Sequence, residues 1–360
     1  MEKIDKRKDA HIDICLEEDV QYKSGAGFED IELLHNALPE INMDEVNTQI
    51  KFLGKTLDAP FIFSAMTGGT SRGHEINKKL AKAAQEENIA LQLGPSRPML
   101  EDKEKSKYYK LRDIAPDIPI IANVGAAQLG QYDAKKLREM LDEIGADALA
   151  VHLNALQECV QGEGERDFAG VFSNISNVCK KMGKPVILKE TGAGIHAGVA
   201  QKLFEAGAKY VESSGAGGSS WSKVEYKRGG RVEGFEEWGY LSSAAIAEIS
   251  PLGNCIASGG LRSGIDVAKG ICLGAKMGAA AMPFLRAEKA RENVEKWKNQ
   301  LKTAMFLCGA KDLDELSRAP ALVMGRTAQI LRLRGIDPAG FAQRSVEEKK
   351  KNKKNPTHYL

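Results

Sequence analysis

Residues 148–158 read Ala-Leu-Ala-Val-His-Leu-Asn-Ala-Leu-Gln-Glu, an apolar run that stops abruptly at polar side chains. The run has the length and apolarity of a buried strand, and the polar residues at its end are His152, Asn154, Gln157 and Glu158. In parallel α/β proteins the carboxyl ends of the strands face the ligand site, so we expect these four side chains to converge there. An ordinary polar loop after a strand is the alternative interpretation of this stretch alone.

The same pattern recurs along the chain, because apolar runs of strand length alternate with amphipathic helical segments from residue 57 to about residue 310. The predicted strands are residues 59–66, 90–94, 119–124, 148–153, 185–190, 210–214, 254–258 and 278–282. The intervening helices include residues 74–87, 134–144, 199–206 and 262–273. Unbroken apolar strands are typical of a parallel sheet covered on both faces, and eight strand-helix units predict a (β/α)8 TIM barrel, an α/β fold.

A doubly wound Rossmann sheet is the weaker prediction. Such a sheet normally has a Gly-x-Gly-x-x-Gly turn after its first strand, whereas this chain reads Met66-Thr67-Gly68-Gly69-Thr70 there. Around the barrel, residues 57–310, we expect an N-terminal arm or lid at 1–56, closing helices at 311–345 and a charged tail at 346–360. The arm is polar and we expect it to be irregular apart from a short helix.

Arg7, Lys8 and His11 would lie together on that short helix and form a cationic patch. The patch either brings positive charge to a phosphate or is a solvated terminal segment.

The overall charge points to no polyanionic partner. Lys and Arg number 51 against 49 Asp and Glu, a formal net charge of +2, so we expect neither nucleic acid nor a membrane as a partner. The six cysteines are scattered without a Cys-x-x-Cys pair, which favours a reducing compartment. Because the sequence contains no signal peptide and no run of membrane-spanning length, we expect a cytoplasmic protein.

The segments after the last two strands predict a phosphate site. Gly259 and Gly260 precede a helix, where free amides and the helix dipole attract an anion, and Arg262 can add a charged contact. Ala280 and Ala281 form the next turn beside them. TIM barrels recurrently bind phosphate at these two loops.

A phosphate at this place would put the rest of its owner across the barrel mouth, over Lys189, Asn123 and Thr67. Those side chains suit a flavin ring, because a lysine stabilises the negative charge of reduced flavin and an amide can bond its polar edge. Gly68 would let the ring approach the backbone. The alternative for Lys189 is a buried ion pair with Glu190 or another carboxylate.

Taken together, these motifs resemble those of the type 2 isopentenyl diphosphate isomerases, which are FMN-dependent barrels. The resemblance covers nearly the whole chain, and its most specific part is the run His152-Leu153-Asn154-x-x-Gln157-Glu158. The other segments that carry it are Arg7-Lys8 with His11, Met66 to Gly69, Asn123 to Ala126, Lys189-Glu190, Ser214 to Trp221 and Ser258 to Gly264.

The resemblance implies a role for each matching residue. The substrate diphosphate and its hydrocarbon would be bound by Arg7, Lys8, His11, Arg97, His152, Asn154, Gln157, Ser220 and Trp221. FMN would be held by Met66, Thr67, Gly68, Ser96, Asn123, Lys189, Ser214, Ser219, Gly259, Gly260, Arg262, Ala280 and Ala281. The residues closest to the chemistry would be Gln157, His152 and Asn154, and Glu158 would bind Mg2+ together with the diphosphate.

The resemblance also implies NADPH as the reductant of FMN and a homo-oligomer, commonly a tetramer or octamer. The chain departs from the family pattern at three places. Ala216 stands where arginine is common, Ser219 stands where threonine is common, and Gly94-Pro95-Ser96-Arg97 differs from the usual Gly-Ser-x-Arg spacing. The activity implied is the interconversion of isopentenyl and dimethylallyl diphosphates. This reaction adds a proton at C4 and removes one from C2, so it needs an acid, a base and exclusion of water. Reduced FMN would serve as the acid and base through N5, without net redox turnover.

Two other kinds of FMN barrel fit the motifs less well. The 2-hydroxyacid oxidases and dehydrogenases need a histidine with a nearby arginine after strand six, where this chain has Ser214-Gly215-Ala216-Gly217-Gly218. Nucleotide dehydrogenases of this architecture use a cysteine after strand six, and none of the six cysteines is there. A protein that binds flavin or an isoprenoid diphosphate without catalysis is a third hypothesis.

Overall fold

The computed structural model of the chain describes residues 2–230 and 232–346. The predicted charged tail at 346–360 therefore lies outside the described residues, apart from Val346. The strands are β1 Ile31–Leu33, β2 Ile50–Phe52, β3 Lys55–Leu57, β4 Phe61–Phe63, β5 Ala90–Pro95, β6 Ile120–Gly125, β7 Ala148–Leu153, β8 Val186–Glu190, β9 Tyr210–Glu212, β10 Cys255–Ser258, β11 Met277–Ala280 and β12 Ala321–Val323.

Helices separate these strands and cover the barrel. The α-helices are α1 Glu2–Glu17, α2 Ser71–Glu86, α3 Arg97–Glu101, α4 Ala134–Ile144, α5 Ala155–Val160, α6 Val171–Lys181, α7 Ala197–Glu205, α8 Trp221–Lys227, α9 Ser242–Ile249, α10 Gly264–Cys272, α11 Met282–Leu285, α12 Ala290–Leu307, α13 Leu313–Leu316, α14 Gly325–Leu333 and α15 Ala339–Ala342. Short 3-10 helices span Phe28–Asp30, Met43–Glu45, Lys103–Tyr108 and Ala126–Gln131.

Strands β4 to β11 form a closed barrel in which every neighbouring pair is parallel. They follow one another around the barrel in chain order, and β11 closes it by pairing with β4. These are the eight strands that the apolar runs predict, so the predicted TIM barrel is confirmed. The carboxyl ends of all eight strands consequently open on the same face, where the segments after each strand meet.

Local signals explain where the helices begin and end. The α4 helix begins after Asp133, whose side chain accepts a hydrogen bond from the Lys136 amide at 2.7 Å. Its apolar residues Leu137, Leu141 and Ile144 recur at helical spacing and are buried against the barrel. The helix ends at Gly145, which adopts the left-handed conformation with φ of 66°.

The barrel interior contains its own apolar cluster, distinct from the larger one between the strands and the surrounding helices. Ile121, Ile187 and Ile256 point inward and are fully buried. Phe52 and Leu57 of the β2–β3 hairpin join the same cluster. The hairpin therefore plugs the amino end of the barrel, leaving the opposite end open for a ligand.

The N-terminal arm is more ordered than its polar sequence predicts. Instead of a short helix in an irregular segment, α1 runs for 16 residues, and β1 pairs antiparallel with β12. The β2–β3 turn is made by Leu53 and Gly54, which have φ angles of 49° and 83°. Contacts with distant parts of the chain stabilise these short elements, and such contacts are not visible in local composition.

The described residues contain no helix that is both long enough and apolar enough to cross a membrane. All six cysteines carry free thiols, and Cys15, Cys255, Cys272 and Cys308 are buried.

Candidate active site

A cavity of about 760 Å³ opens at the carboxyl ends of the barrel strands. Its wall combines residues from the strand ends with residues of α1, which lies across the opening. The structure brings together in this wall every residue that the sequence assigned to the site, with two exceptions.

The two exceptions are Ser96 and Ser220, which are fully buried behind the cavity wall. The Ser96 hydroxyl lies 3.5 Å from the amide nitrogen of Asn123. Ser220 caps α8 by accepting from the Lys223 amide, and it donates to the carbonyl of Glu236 at 2.8 Å. The structure therefore gives both hydroxyls partners within the protein rather than in the cavity.

His152 ends β7 beside Asn123 of β6, because the two strands are neighbours in the barrel. Its Nδ1 lies 2.6 Å from Asn123 Oδ1, so the ring donates from Nδ1 when the amide presents its oxygen. Burial, together with the positive charges of Lys189 and Lys8, lowers the pKa of His152 to about 3. His152 is therefore a neutral imidazole at physiological pH, oriented by Asn123.

Glu158 lies on α5, the helix that follows β7, and only 8% of its surface is exposed. It accepts hydrogen bonds from Asn154 Nδ2 at 2.8 Å and from the Glu165 amide at 2.7 Å. Burial raises the pKa of Glu158, although these two donors partly offset that effect. The other polar atom of the neighbouring amide, Asn154 Oδ1, is buried without a protein partner.

Gln157 contacts the carboxylate of Glu225, which was not among the predicted site residues. Its Nε2 donates to Glu225 Oε1 at 2.8 Å, and His11 Nε2 approaches the same oxygen at 3.0 Å. Burial raises the pKa of Glu225, but contacts with His11, Gln157 and Arg228 more than offset it and lower the pKa to about 2. The buried Glu225 thereby connects α1, α5 and α8 at the edge of the cavity.

Arg97 is held by two carboxylates rather than left open. Its guanidinium bonds Glu101 at 2.6 Å and also pairs with Glu165, whose other oxygen accepts from Gln128 Nε2 at 2.9 Å. These carboxylates raise the pKa of Arg97 further, despite partial burial. Glu165 and Gln128 line the cavity but were not predicted.

The α1 helix is fixed over the opening by contacts along its length. Lys8 Nζ donates to the carbonyls of Gly68 and Pro95, and Arg7 lies 3.7 Å from Glu163. Near the end of the helix, the Arg286 guanidinium donates to the carbonyl oxygen of Cys15 at 2.7 Å. The arm thus delivers Arg7, Lys8 and His11 to the cavity.

Lys189 lies on β8 as the register partner of His152 on the neighbouring β7, and its Nζ donates to the Glu190 carbonyl at 2.8 Å. Lys189 also forms a buried ion pair with Glu212, with 3.4 Å between Nζ and Oε1. The Glu190 carboxylate instead accepts from the backbone amides of the turn that follows β8, including Gly192 at 2.5 Å. The ion pair expected as an alternative for Lys189 therefore exists, with Glu212 as the partner, and it lies in the cavity wall.

The loops after β9 and β10 approach one another closely at their glycines. A Cβ at Gly218 would lie 2.6 Å from the backbone nitrogen of Gly260, so a side chain there would separate the loops. Arg262 bridges them by donating to the carbonyls of Gly217 at 2.9 Å and Gly260 at 3.1 Å. The first amides of α10 already have side-chain partners, since Gly264 donates to Gln300. An anion here would therefore use the glycine loop and the Ala280–Ala281 turn.

Two observations test whether these residues fit a flavin and a metal. The Thr67 hydroxyl oxygen is buried without a protein partner and lines the cavity, so it fits a polar edge of FMN. The described residues contain no group of three or more His, Cys, Asp or Glu that could hold a metal alone. One carboxylate, Glu158, suits Mg2+ that completes its coordination with water and a substrate diphosphate.

Comparison with known proteins identifies the family. The family model of FMN-dependent dehydrogenases matches residues 133–323. An isopentenyl-diphosphate delta-isomerase from Methanothrix thermoacetophila is 44% identical over 356 residues, which cover 94% of this chain and 99% of that protein. The chain belongs to the isopentenyl-diphosphate delta-isomerase family.

Further comparisons agree with this assignment. The isopentenyl-diphosphate delta-isomerase of Methanosarcina barkeri is 40% identical, with 94% of this chain and 97% of that protein covered. A lactate oxidase structure from Pediococcus acidilactici superimposes with a TM-score of 0.65 over 90% of this chain and 94% of that one. At 16% identity the oxidase shows a shared barrel fold and nothing more. The family predicted from the motifs is therefore confirmed, and the match to an FMN-dependent domain supports FMN as the cofactor.

Proposed function

We propose that this isopentenyl-diphosphate delta-isomerase family member interconverts isopentenyl and dimethylallyl diphosphates in the cavity at the carboxyl end of its barrel. The observation that carries the proposal is that one cavity brings together two sets of residues with different chemistry. The cationic arm and the His152–Glu158 segment supply groups suited to a diphosphate, and Lys189 with the glycine loops supplies groups suited to a flavin. Such a site suits a small diphosphate held against a flavin.

The cationic residues of the arm, together with Arg97, would bind the diphosphate. Arg7, Lys8 and Arg97 supply positive charge, and charge-assisted hydrogen bonds from such groups are among the strongest in proteins. Neutral His152 and Asn154 would add hydrogen bonds without further charge. Because Arg97 already pairs with Glu101 and Glu165, substrate binding would exchange one set of oxygen partners for another.

The metal would be Mg2+ at Glu158, shared with the diphosphate. Glu158 is buried next to the donors that hold it, and a cation would favour the ionised form that burial disfavours. Asn154 Oδ1 has no protein partner and is an available oxygen ligand beside Glu158. Mg2+ commonly takes one or two carboxylates together with substrate phosphate oxygens.

The hydrocarbon would lie near Gln157 and Trp221. Gln157 is oriented by Glu225, and Trp221 packs edge-on against His11 with 5.3 Å between the ring centroids. These groups and the overlying α1 would keep water away from a positively charged hydrocarbon. Reduced FMN would supply a nitrogen, N5, able to give and accept the proton.

On the flavin side, Thr67, Asn123, Lys189 and Ser214 would bind the ring, and the loops containing Gly259 and Ala280 would bind its phosphate. The partners that Ser96 and Ser220 have within the protein favour supporting roles for both. NADPH as the reductant, a homo-oligomer of tetrameric or octameric size, and a cytoplasmic location stay predictions from the sequence and its resemblance.

The proposal is tested by assaying purified protein loaded with FMN, reduced with NADPH or dithionite, and supplied with Mg2+. We expect interconversion of the two diphosphates in both directions. The Cys159→Ser variant is a matched control, because Cys159 is exposed on α5 and does not line the cavity. Binding of FMN and diphosphate without turnover under these conditions would refute the proposal and favour a non-catalytic binding protein.

A further inference from the structure

We infer that Glu212 is a positioning residue for the flavin side of the site, where its carboxylate holds the Lys189 ammonium and balances its charge beneath the bound ring. The inference rests on the proposed function, because it requires FMN to bind in this cavity. It goes further by assigning a role to a carboxylate that contacts neither the predicted substrate groups nor the predicted metal ligand.

The first observation is the complete burial of Glu212 at the end of β9, in the wall of the cavity. Its Oε1 lies 3.4 Å from Lys189 Nζ and 3.3 Å from the Ser64 and Ser214 hydroxyls, while Gln92 Nε2 donates to Oε2 at 3.2 Å. These donors come from four different strands of the barrel or from the residues that directly follow them. A carboxylate has room for about four hydrogen bonds, so the surroundings match the ionised side chain.

The second observation is that Lys189 depends on Glu212 for charge compensation. The adjacent carboxylate of Glu190 turns away and accepts the amides of Thr191 and Gly192. Lys189 otherwise meets neutral oxygens, the Glu190 carbonyl and the Ser214 hydroxyl. Removing one partner of a buried ion pair leaves an uncompensated charge, whose field acts strongly on anything bound nearby.

The third observation is that both members of the pair line the cavity in which FMN is proposed to bind. Both Lys189 and Glu212 line the cavity, together with Thr67 and Ser258. A lone ammonium under the ring would favour the negatively charged, reduced flavin, whereas a neutral pair favours it less. Glu212 would thus limit how strongly Lys189 stabilises the negative charge of the reduced ring.

The experiment measures the two-electron midpoint potential of bound FMN in the full-length protein, by titration against redox dyes. For Glu212→Gln we expect a higher potential than in the wild type, by the equivalent of at least about tenfold in the reduction equilibrium, or about 30 mV. For Lys189→Met we expect the opposite sign. The double variant, which removes both charges, should return close to the wild-type potential.

A charge-preserving variant separates electrostatics from structure. Glu212→Asp should shift the potential by less than half of the shift in Glu212→Gln, although it shortens the same side chain. An unchanged potential in Glu212→Gln, or a shift of the same sign as in Lys189→Met, would overturn the inference. If Glu212→Gln alone does not take up FMN, the double variant is compared with Lys189→Met, and absence of a rise between those two overturns the inference equally.

Failure of this inference can be told apart from failure of the proposed function. Isomerase turnover of the wild type is measured on the same preparations. A wild type that binds FMN without isomerising its substrate refutes the proposed function, while the potentials still decide the role of Glu212. A wild type that takes up no FMN overturns both.

Discussion

The Glu158→Gln substitution separates a ligand role of this carboxylate from a structural one. Glu158 is 8% exposed, and its oxygens accept from Asn154 Nδ2, Gln161 Nε2 and the Glu165 amide. Glutamine keeps the shape but replaces one acceptor with a donor. If the new NH2 group replaced Oε1, it would face the Nδ2 donor of Asn154. A flip of the Asn154 side-chain amide would remove this conflict, and the flip is possible because Asn154 Oδ1 has no protein partner.

Two opposing terms set the effect of this change on stability. The disturbed hydrogen bond costs about 1 kcal/mol. Burial raises the pKa of Glu158, which means that the folded state favours the neutral carboxyl, so removing the buried charge acts in the opposite, stabilising direction. We expect the free energy of unfolding without Mg2+ to change by less than about 1 kcal/mol, which shifts Tm by no more than about 1–3 °C.

The effect on function should be much larger. Losing the only carboxylate proposed as a protein ligand to Mg2+ should raise the Mg2+ concentration for half-maximal activity by at least about tenfold, a cost of about 1.4 kcal/mol. Thermal unfolding without Mg2+ and isomerase assays across a Mg2+ titration measure the two quantities. A variant with unchanged Mg2+ dependence would refute the metal assignment, and a Tm loss above about 5 °C would show that the carboxylate mainly stabilises the fold.

Three further predictions follow from the contacts in the cavity. Gln157→Ala should lower kcat at least about tenfold with a smaller change in the FMN dissociation constant, measured by flavin fluorescence; equal losses in both would contradict its assignment to the hydrocarbon end. Arg286→Ala removes the guanidinium that donates hydrogen bonds to the carbonyls of Cys15 and Glu18. We expect this change to raise the KM for the diphosphate about tenfold and to speed tryptic cleavage within α1. Unchanged proteolysis would refute the role of Arg286 in holding α1 over the cavity. The pKa of His152 in the folded state is lowered to about 3, so His152 contributes stability that is present above about pH 6.5 and is lost as the pH falls toward 3. Its imidazole should therefore show no NMR titration between pH 5 and 8.

Much of the fold could be predicted because the barrel strands are buried on both faces. Their apolar runs are continuous, and the predicted residues 148–153 coincide with β7. At the eighth strand the prediction extended to Met282, but β11 ends at Ala280 and α11 begins at Met282. Apolar composition cannot separate the end of a buried strand from the start of a buried helix.

The N-terminal elements could not be predicted in the same way, because each is stabilised by a remote partner. Residues of β1 pair with β12 nearly the whole chain away, and Phe52 of the β2–β3 hairpin is buried only because the barrel provides a cavity for it. The α1 helix has a polar sequence, and contacts from Lys8, His11 and the Arg286 guanidinium fix it to the barrel. The sequence of a short segment does not indicate which distant residues will stabilise it.

Two of the residues missing from the predicted site, Gln92 and Glu225, share a physical reason for being missed. The predicted site residues lie mainly at the ends of strands, where polar residues come after apolar runs, but Gln92 lies within β5 and Glu225 lies within α8. Gln92 was visible as one polar residue in an apolar strand, which is a useful signal in a sheet covered on both faces. Glu225 gave no such signal, since a charged residue in a short helix is ordinarily solvated.

Carboxylates that were not among the predicted site residues explain how a cavity rich in charge remains stable before any ligand binds. Two predicted cationic groups on the barrel have carboxylate partners, since Lys189 pairs with Glu212, and Arg97 pairs with Glu101 and Glu165. The Arg262 guanidinium instead donates to the carbonyls of Gly217 and Gly260. A buried unpaired charge would cost several kcal/mol, so paired charges allow the site to be formed in advance. The partners differ in exposure, because Glu212 is fully buried whereas the side chains of Arg97 and Glu165 are about one third exposed. A diphosphate bound as proposed would therefore replace Glu165 at the partly exposed Arg97, while the buried Lys189–Glu212 pair would stay in place beside the proposed flavin.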